Sequence, residues 1–350
     1  MIKCHWISSN SDIANISKDR TASVRLRLGA ALHSKDLHIT TGMVIPKNID
    51  VVVWPKFSWL DARSSIQLEN NINVANALKK TGIIQIVDYT DHHLDKTIPS
   101  SDGRSDKLND SFLKKSIENR KYYFELLSIV DFITSPTKYI ADALKTEGIL
   151  KPVWVVQDAI DPAPNPFPEK EKNNQNRALW YGAHFSFQQL VNNIKKLDDS
   201  LNEPLILECL VGKATLNDAK NGHYKFPDRK KLKIIINEWS LEKMIPAAIK
   251  SDVIFLPSSI TDSKRKLASP NRLISAFSFS RPVIATRIPS YSDFSSYFID
   301  FDSLELNEKI QNINELMNKS LIQNAKEISL KFEPAEIANE WSTAFKEMTS

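Results

Sequence analysis

Glycine is scarce in this chain. Eight of 350 residues are Gly, against about 7% in an average protein. No two are spaced as GxG, and no GxxxxGK[ST] run exists. A dinucleotide fingerprint and a Walker-type phosphate loop both need such glycines for close backbone approach, so neither is expected. Cysteine is scarcer still. Cys4 and Cys209 lie in separate apolar runs, which argues against a disulfide framework and fits a reducing compartment. No apolar run approaches the length that spans a bilayer, and MIKCHWISS lacks the apolar core of a signal peptide. The expected location is the cytoplasm. The formal net charge of +4 is too small to imply a nucleic-acid binder, and no nucleic-acid partner is expected. The excess is uneven: 21 Lys+Arg face 17 Asp+Glu through Lys151, and 25 face 25 beyond it.

What is present is an alternation of short apolar runs with helical patterns. Strands are expected at 2–8, 49–54, 83–89, 130–135 and 152–157, with helices at 22–34, 62–81, 108–129 and 137–147. The segment DAIDPAPNPFPEKEKNNQN holds four prolines and a polar run, and reads as a linker. The alternation then restarts, with strands at 178–182, 205–211, 231–237, 253–257 and 282–286 and helices at 187–200, 240–250 and 270–279. Such alternation predicts parallel sheets covered on both faces. The fold class is α/β: two doubly wound Rossmann-like domains facing a cleft. The boundaries are 1–157, a linker at 158–177, 178–332, and a C-terminal helix at 333–350. That helix carries Ile337, Ala338, Trp341 and Phe345 at amphipathic spacing and is expected to dock on the N-terminal domain.

Ligands of doubly wound sheets bind beyond the carboxyl ends of the strands. One helix start there is crowded with cations. Ser269 suits an N-cap and Pro270 a first helical position. Asn271 and Arg272 follow, and Lys264 and Lys266 precede. Cations oppose the macrodipole in a first turn, unless an anion sits among them. This places a phosphate at Lys264, Lys266, Ser269, Asn271 and Arg272, against the plainer reading of a solvated basic loop.

Other strand ends carry chemistry as well. DYTDHH puts Asp88, Asp91, His92 and His93 after an apolar strand, which suits general acid–base work or sugar-hydroxyl contacts. The spacing matches no common metal site, and no metal or cofactor is expected. Lys56 and Asp158 follow strands and are candidate substrate contacts. Ser23 and Arg25 open the first helix, facing the substrate or simply capping an amphipathic turn. Trp239 suits either a stacked nucleobase or the core. The run SFLKKSIENRKYYFELL mixes Lys114, Lys115, Arg120 and Lys121 with Phe112, Tyr122 and Tyr123; it reads as a solvated face or as a basic-aromatic patch for a membrane surface.

The segments SDVIFLPSS…SPNRLISAFSFSRPVIAT and VDFITSPTKYIADALKTEGI…VWVVQDAID resemble the group 1 type of GT-B glycosyltransferases. The resemblance covers most of 130–290. It implies a nucleotide-sugar donor held by the second domain, a glycan or lipid-linked acceptor of the cell envelope, and retention of anomeric configuration. It also implies polysaccharide biosynthesis; peripheral contact at the inner membrane face is expected only from the basic-aromatic run above. It places Gly182, His184 and Ser186 under the donor phosphates, with Ser186 also suited to cap the next helix. It places the Asp88–His93 stretch on the acceptor side. Two positions depart from the pattern: Ser275 stands where a ribose-binding glutamate is usual, and Ser280 where a glycine is usual. A non-catalytic nucleotide- or sugar-binding protein and a nucleotide-sugar epimerase are the alternatives.

Overall fold

The computed structural model describes residues 1–8, 12–19, 21–55, 65–91, 94, 110–161, 163–164, 166–169, 175–260, 267–303 and 318–350. They divide into two compact units. One comprises Met1–Ala159, Leu267–Ser269 and Phe332–Ser350, the other Ile160–Lys266 and Pro270–Lys331.

The first unit opens with β1 (Ile2–Ile7). A 3-10 turn (Ile13–Lys18) and a π-helix (Val24–Leu28) lead into the short α1 (Gly29–Ala31). Then come β2 (Leu37–Gly42), β3 (Val51–Trp54), α2 (Ser65–Lys79), β4 (Ile84–Asp88), α3 (Asp110–Ile129), β5 (Phe132–Ser135), α4 (Lys138–Thr146) and β6 (Val153–Val155). The sheet runs β2-β1-β3-β4-β5-β6, every pair parallel. β3 is VVVW and wholly buried, as a strand covered on both faces must be. The strand order reverses between β1 and β3.

The second unit repeats the plan. It contains β7 (Asn176–Gly182), α5 (His184–Asp199), β8 (Leu205–Val211), α6 (Lys213–Lys220), β9 (Leu232–Glu238), α7 (Leu241–Lys250), β10 (Val253–Leu256), α8 (Asn271–Ser278), β11 (Val283–Ala285), β12 (Ile299–Asp300) and α9 (Lys319–Leu330). Its parallel sheet runs β12-β11-β10-β7-β8-β9. Here the order reverses between β7 and β10, so the crevice at this switch point lies beyond Gly182 and Leu256. The core packs Trp180, Phe187, Leu190, Ile194 and Phe255 between sheet and helices.

The last helix, α10 (Pro334–Thr349), belongs to the first unit. Trp341 is fully buried there, edge-on to Trp6 at 5.2 Å and stacked with Phe345 at 5.6 Å.

β2, β12 and α6 were not expected from the sequence. β2 (LHITTG) is an edge strand with an exposed His38, β12 is two residues long, and α6 (KATLNDAK) is short and polar. None offers the continuous apolar run that marked the others.

Candidate functional site

In the second unit, β7 ends in Tyr181 and Gly182, and α5 starts two residues later. Ala183 caps α5 in an extended conformation and no side chain caps it. Its leading N–H groups therefore carry the positive end of a 16-residue helix dipole toward the switch point. The start of α8 lies alongside. Arg272 Nη1 donates to the Tyr181 carbonyl at 3.3 Å, and Tyr181 Oη donates to the Arg272 carbonyl at 2.8 Å. This reciprocal pair fastens α8 to the end of β7. Burial pushes the Tyr181 phenol far above its ordinary value, so it stays a neutral donor.

Gly182 makes room for this arrangement. A Cβ there would stand 2.6 Å from Arg272 Nη1 and 3.0 Å from the Trp180 ring. Any side chain would push the guanidinium aside. Arg272 and Asn271 are half-buried. The structure thus brings Gly182, Arg272 and the uncapped start of α5 together, with Asn271 opening α8 next to Arg272. Ser258 follows β10 by two residues: its N–H is bonded to Thr286 Oγ1 at 3.0 Å, and its hydroxyl donates to Gln189 on α5 at 3.1 Å.

His184 is the first residue of α5. Its Nδ1 lies 2.8 Å from Tyr224 Oη, 3.4 Å from Thr215 Oγ1 and 4.0 Å from Asp218. The ring is held by the α6 region while about a quarter of its surface stays exposed.

The first unit treats its charges differently. Arg27, on the π-helix, is 0% exposed. Its Nε lies 2.8 Å from both carboxylate oxygens of Asp88, and its Nη2 is 2.6 Å from one of them. Its Nη1 donates to Asp158 at 3.0 Å and to the Val156 carbonyl at 2.7 Å. Thr134 donates to Asp88 at 2.9 Å, and the guanidinium lies 4.9 Å over Trp341. Burial works against the charge of Arg27, but Asp88 and Asp158 more than offset it and hold the guanidinium above its ordinary range. Sequence reasoning missed Arg27. The partners lie 61 and 131 residues away, and an Arg between leucines signals an exposed amphipathic turn.

The buried network corrects several expectations. Asp88 and Asp158, expected to meet substrate, are 2% and 8% exposed and bind Arg27. Arg25 is buried as well and donates to the Asp19 carbonyl at 2.6 Å. Ser23, half-buried, precedes the π-helix in a helical conformation and makes no capping hydrogen bond. Asp91 is half-buried beyond β4, and Tyr89 Oη accepts the Leu94 N–H at 2.9 Å.

Four further expectations change. Ser186 lies inside α5 and is 2% exposed, because the helix starts at His184, before the residue expected to cap it. Ser275 faces the core side of α8, 5% exposed, and its carbonyl accepts the Ser278 hydroxyl at 2.7 Å. Ser269 does not cap α8: Pro270 takes that place without a side-chain bond, and Ser269 groups with the first unit. Tyr122 and Tyr123 are buried in the core of the first unit, which removes both from any membrane-facing patch. Trp239 is half-buried after β9, its N–H bonded to the Val211 carbonyl at 2.7 Å. Lys56, His92, His93, Lys264 and Lys266 lie outside the described residues, as do the side chains of Phe112, Lys114 and Lys115. Among the described residues, no helix is long and apolar enough to cross a membrane. Cys4 and Cys209 are buried and free, and burial pushes the Cys4 thiol up to about 12, which removes it as a nucleophile.

No family model and no curated protein matches the sequence. Solved structures do match over the whole chain. An alpha-glucosyltransferase in complex with UDP and a 13-mer DNA containing a HMU base is 13% identical, with a TM-score of 0.61 and 100% of both chains covered. A glycosyltransferase involved in avilamycin A biosynthesis gives 9% identity and a TM-score of 0.53, covering 100% of this chain and 98% of that one. The E. coli trehalose-6-phosphate protein bound with UDP-2-fluoro glucose gives 8% and 0.53, with 99% of each chain covered. The chain has the GT-B fold, as its two parallel six-stranded sheets require.

These comparisons overturn one expectation outright. A nucleic-acid partner was excluded on net charge, yet alpha-glucosyltransferases of this fold are seen in complex with DNA. Net charge averages over the surface and does not report on a local basic face.

Proposed function

We propose that this chain is a glycosyltransferase that takes a sugar from a uridine-diphosphate donor and passes it, with retention, to a hydroxyl on nucleic acid. The observation that carries the donor half is the convergence at the β7/β10 switch point. Arg272 is fastened to Tyr181, Gly182 is cleared for its guanidinium, and α5 begins without a side-chain cap. Donors fixed before the reaction suit the charge that develops on a departing diphosphate. The bond from the anomeric carbon to phosphate oxygen breaks, and the acceptor oxygen takes its place and gives up its proton. Structures of this fold that hold UDP or UDP-glucose support the uridine diphosphate, and those that hold DNA support the acceptor. An alpha-glucosyltransferase using UDP-glucose keeps the donor's configuration, which supports retention. Asp91, with His92 and His93 next in sequence, is the acceptor-side group of this reading.

The test is incubation of the full chain with UDP-glucose and a 13-mer DNA containing a HMU base. Release of UDP and a gain of one hexose in DNA mass are expected. Transfer to a glycan but not to DNA would replace the acceptor. The donor reading falls if UDP neither binds nor is released with any acceptor or with water.

A further inference from the structure

The connection from α6 to β9 is an ordered strap laid along α5. At one end Tyr224 Oη meets His184 Nδ1, on the first residue of α5. At the other, Asp198 near the end of α5 accepts the N–H groups of Lys230, Lys231 and Leu232 at 2.9, 2.9 and 2.7 Å. Fourteen helical steps separate His184 from Asp198, about 21 Å. Six residues from Tyr224 to Lys230 reach about 20 Å only when nearly extended. Pro227 favours that course.

The strap is two-sided. Inward, the rings of Tyr224 and Phe226 lie 4.9 and 6.2 Å from Phe187, and Lys231 turns its ammonium to the Leu201 carbonyl. Outward stand Lys225, Arg229 and Lys230, all exposed. The Arg229 guanidinium rests 5.4 Å from the Phe226 ring, which aims it. Asp228 is the only acid between Tyr224 and Leu232. Among the described residues, no ion pair engages Lys225, Arg229 or Lys230. A neutral half of the molecule thus holds a row of unmatched cations on a pinned segment, running from the start of α5 to its end.

We propose that this strap is a track for the phosphate backbone of a nucleic acid, leading toward the start of α5. Each strand of a duplex carries one phosphate per 3.4 Å or so of helix axis, so the strap's length corresponds to about six base pairs of axis. Such contacts position a substrate without reading its sequence. The proposal rests on the nucleic-acid acceptor proposed above.

The test uses the full chain, a fluorescein-labelled 13-mer duplex and anisotropy at several salt concentrations. K225E/R229E/K230E is expected to weaken binding more than tenfold near 0.1 M salt. The log–log salt slope is expected to fall by about 2–3, from roughly 0.9 per lost phosphate contact. The neutral variant K225Q/R229Q/K230Q should show a smaller loss of the same sign. The thermal midpoint and UDP affinity of both should match those of the unmodified chain. DNA affinity and slope unaltered in the charge-reversed variant would overturn the track alone. Capture of phosphatidylserine vesicles in place of DNA would overturn both the track and the acceptor, as would UDP turnover without any DNA binding. Strap-dependent DNA binding without UDP binding would keep the track and remove the donor reading.

Discussion

At the end of β4 the first unit buries Asp88, 2% exposed, against an Arg27 that is 0% exposed. At the end of β7 the second unit leaves Gly182 half-open under the half-buried Arg272. Both places are carboxyl ends of parallel strands, where ligands of such sheets bind. The difference is in what answers the charge. Arg27 is met by two carboxylates, a carbonyl and a tryptophan face. The Arg272 guanidinium donates to the Tyr181 carbonyl, which orients it without cancelling its charge. Position at a strand end therefore nominates a residue, and the supply of counter-charge decides whether it serves stability or binding.

The largest expected effect would break this contrast from the buried side. Arg27→Met strands Asp88 and Asp158 without their counter-ion, and removal of one partner of a buried pair costs about 3–5 kcal/mol. Chemical denaturation should show that loss, while UDP affinity of the folded protein stays unchanged. Arg272→Ala should do the reverse. Titration calorimetry is expected to show a loss of about 1.5–3 kcal/mol in UDP affinity, the range for hydrogen bonds to charged groups, with little change in the thermal midpoint. Gly182→Ala should reproduce part of that loss by displacing the guanidinium. Equal stability losses in Arg27→Met and Arg272→Ala would erase the distinction.

Asp198 offers an intermediate case: a carboxylate in the second unit that does serve the fold. Burial works to raise it, but the N–H groups of Lys230, Lys231 and Leu232, with Lys195, hold it below the usual carboxylate range. Such a group contributes stability that is present above its unfolded value, about 3.9, and is lost as pH falls through the lower folded value. Asp198→Asn is expected to cost about 1–2 kcal/mol at neutral pH. The gap to the unmodified chain should close in acid, as urea midpoints from pH 7 to pH 3 would show. The smallest effect is at Ser280. It follows α8 with φ of 49°, in the left-handed region where glycine is at ease. Ser280→Gly should raise stability by about 0.5–1 kcal/mol in the same measurement.

Most of the fold was legible because buried parallel strands write themselves as apolar runs. β8 occupies the span expected for it, and β3 and β10 lie inside theirs. The placement of Gly182 and Arg272 was legible for a related reason. Gly182 and Arg272 follow strand and helix boundaries that sequence marks well, and the missing glycine at Ser280 was visible as a departure before its backbone angle was known. The first-unit network was not legible. Asp88 looked catalytic because an acid after a strand points toward ligand, and nothing local announces that a π-helical arginine will claim it. Ser186 failed through a helix boundary: α5 starts three residues earlier than expected, which moves its hydroxyl from a cap to the core, and Ser275 lies on the buried face of α8.

The aromatic ceiling over Arg27 comes from Trp341, in α10, while the residues beneath it precede position 160. During synthesis the first unit must therefore wait. Its sheet can form early, but its buried ion cluster stays uncovered until 332–350 have left the ribosome. The second unit, complete within Ile160–Lys331 except for a three-residue excursion, can close first. In this chain the usual order of N-terminal domain before C-terminal domain is reversed for the final step, and a stalled product lacking α10 would carry a finished second unit beside an open first one.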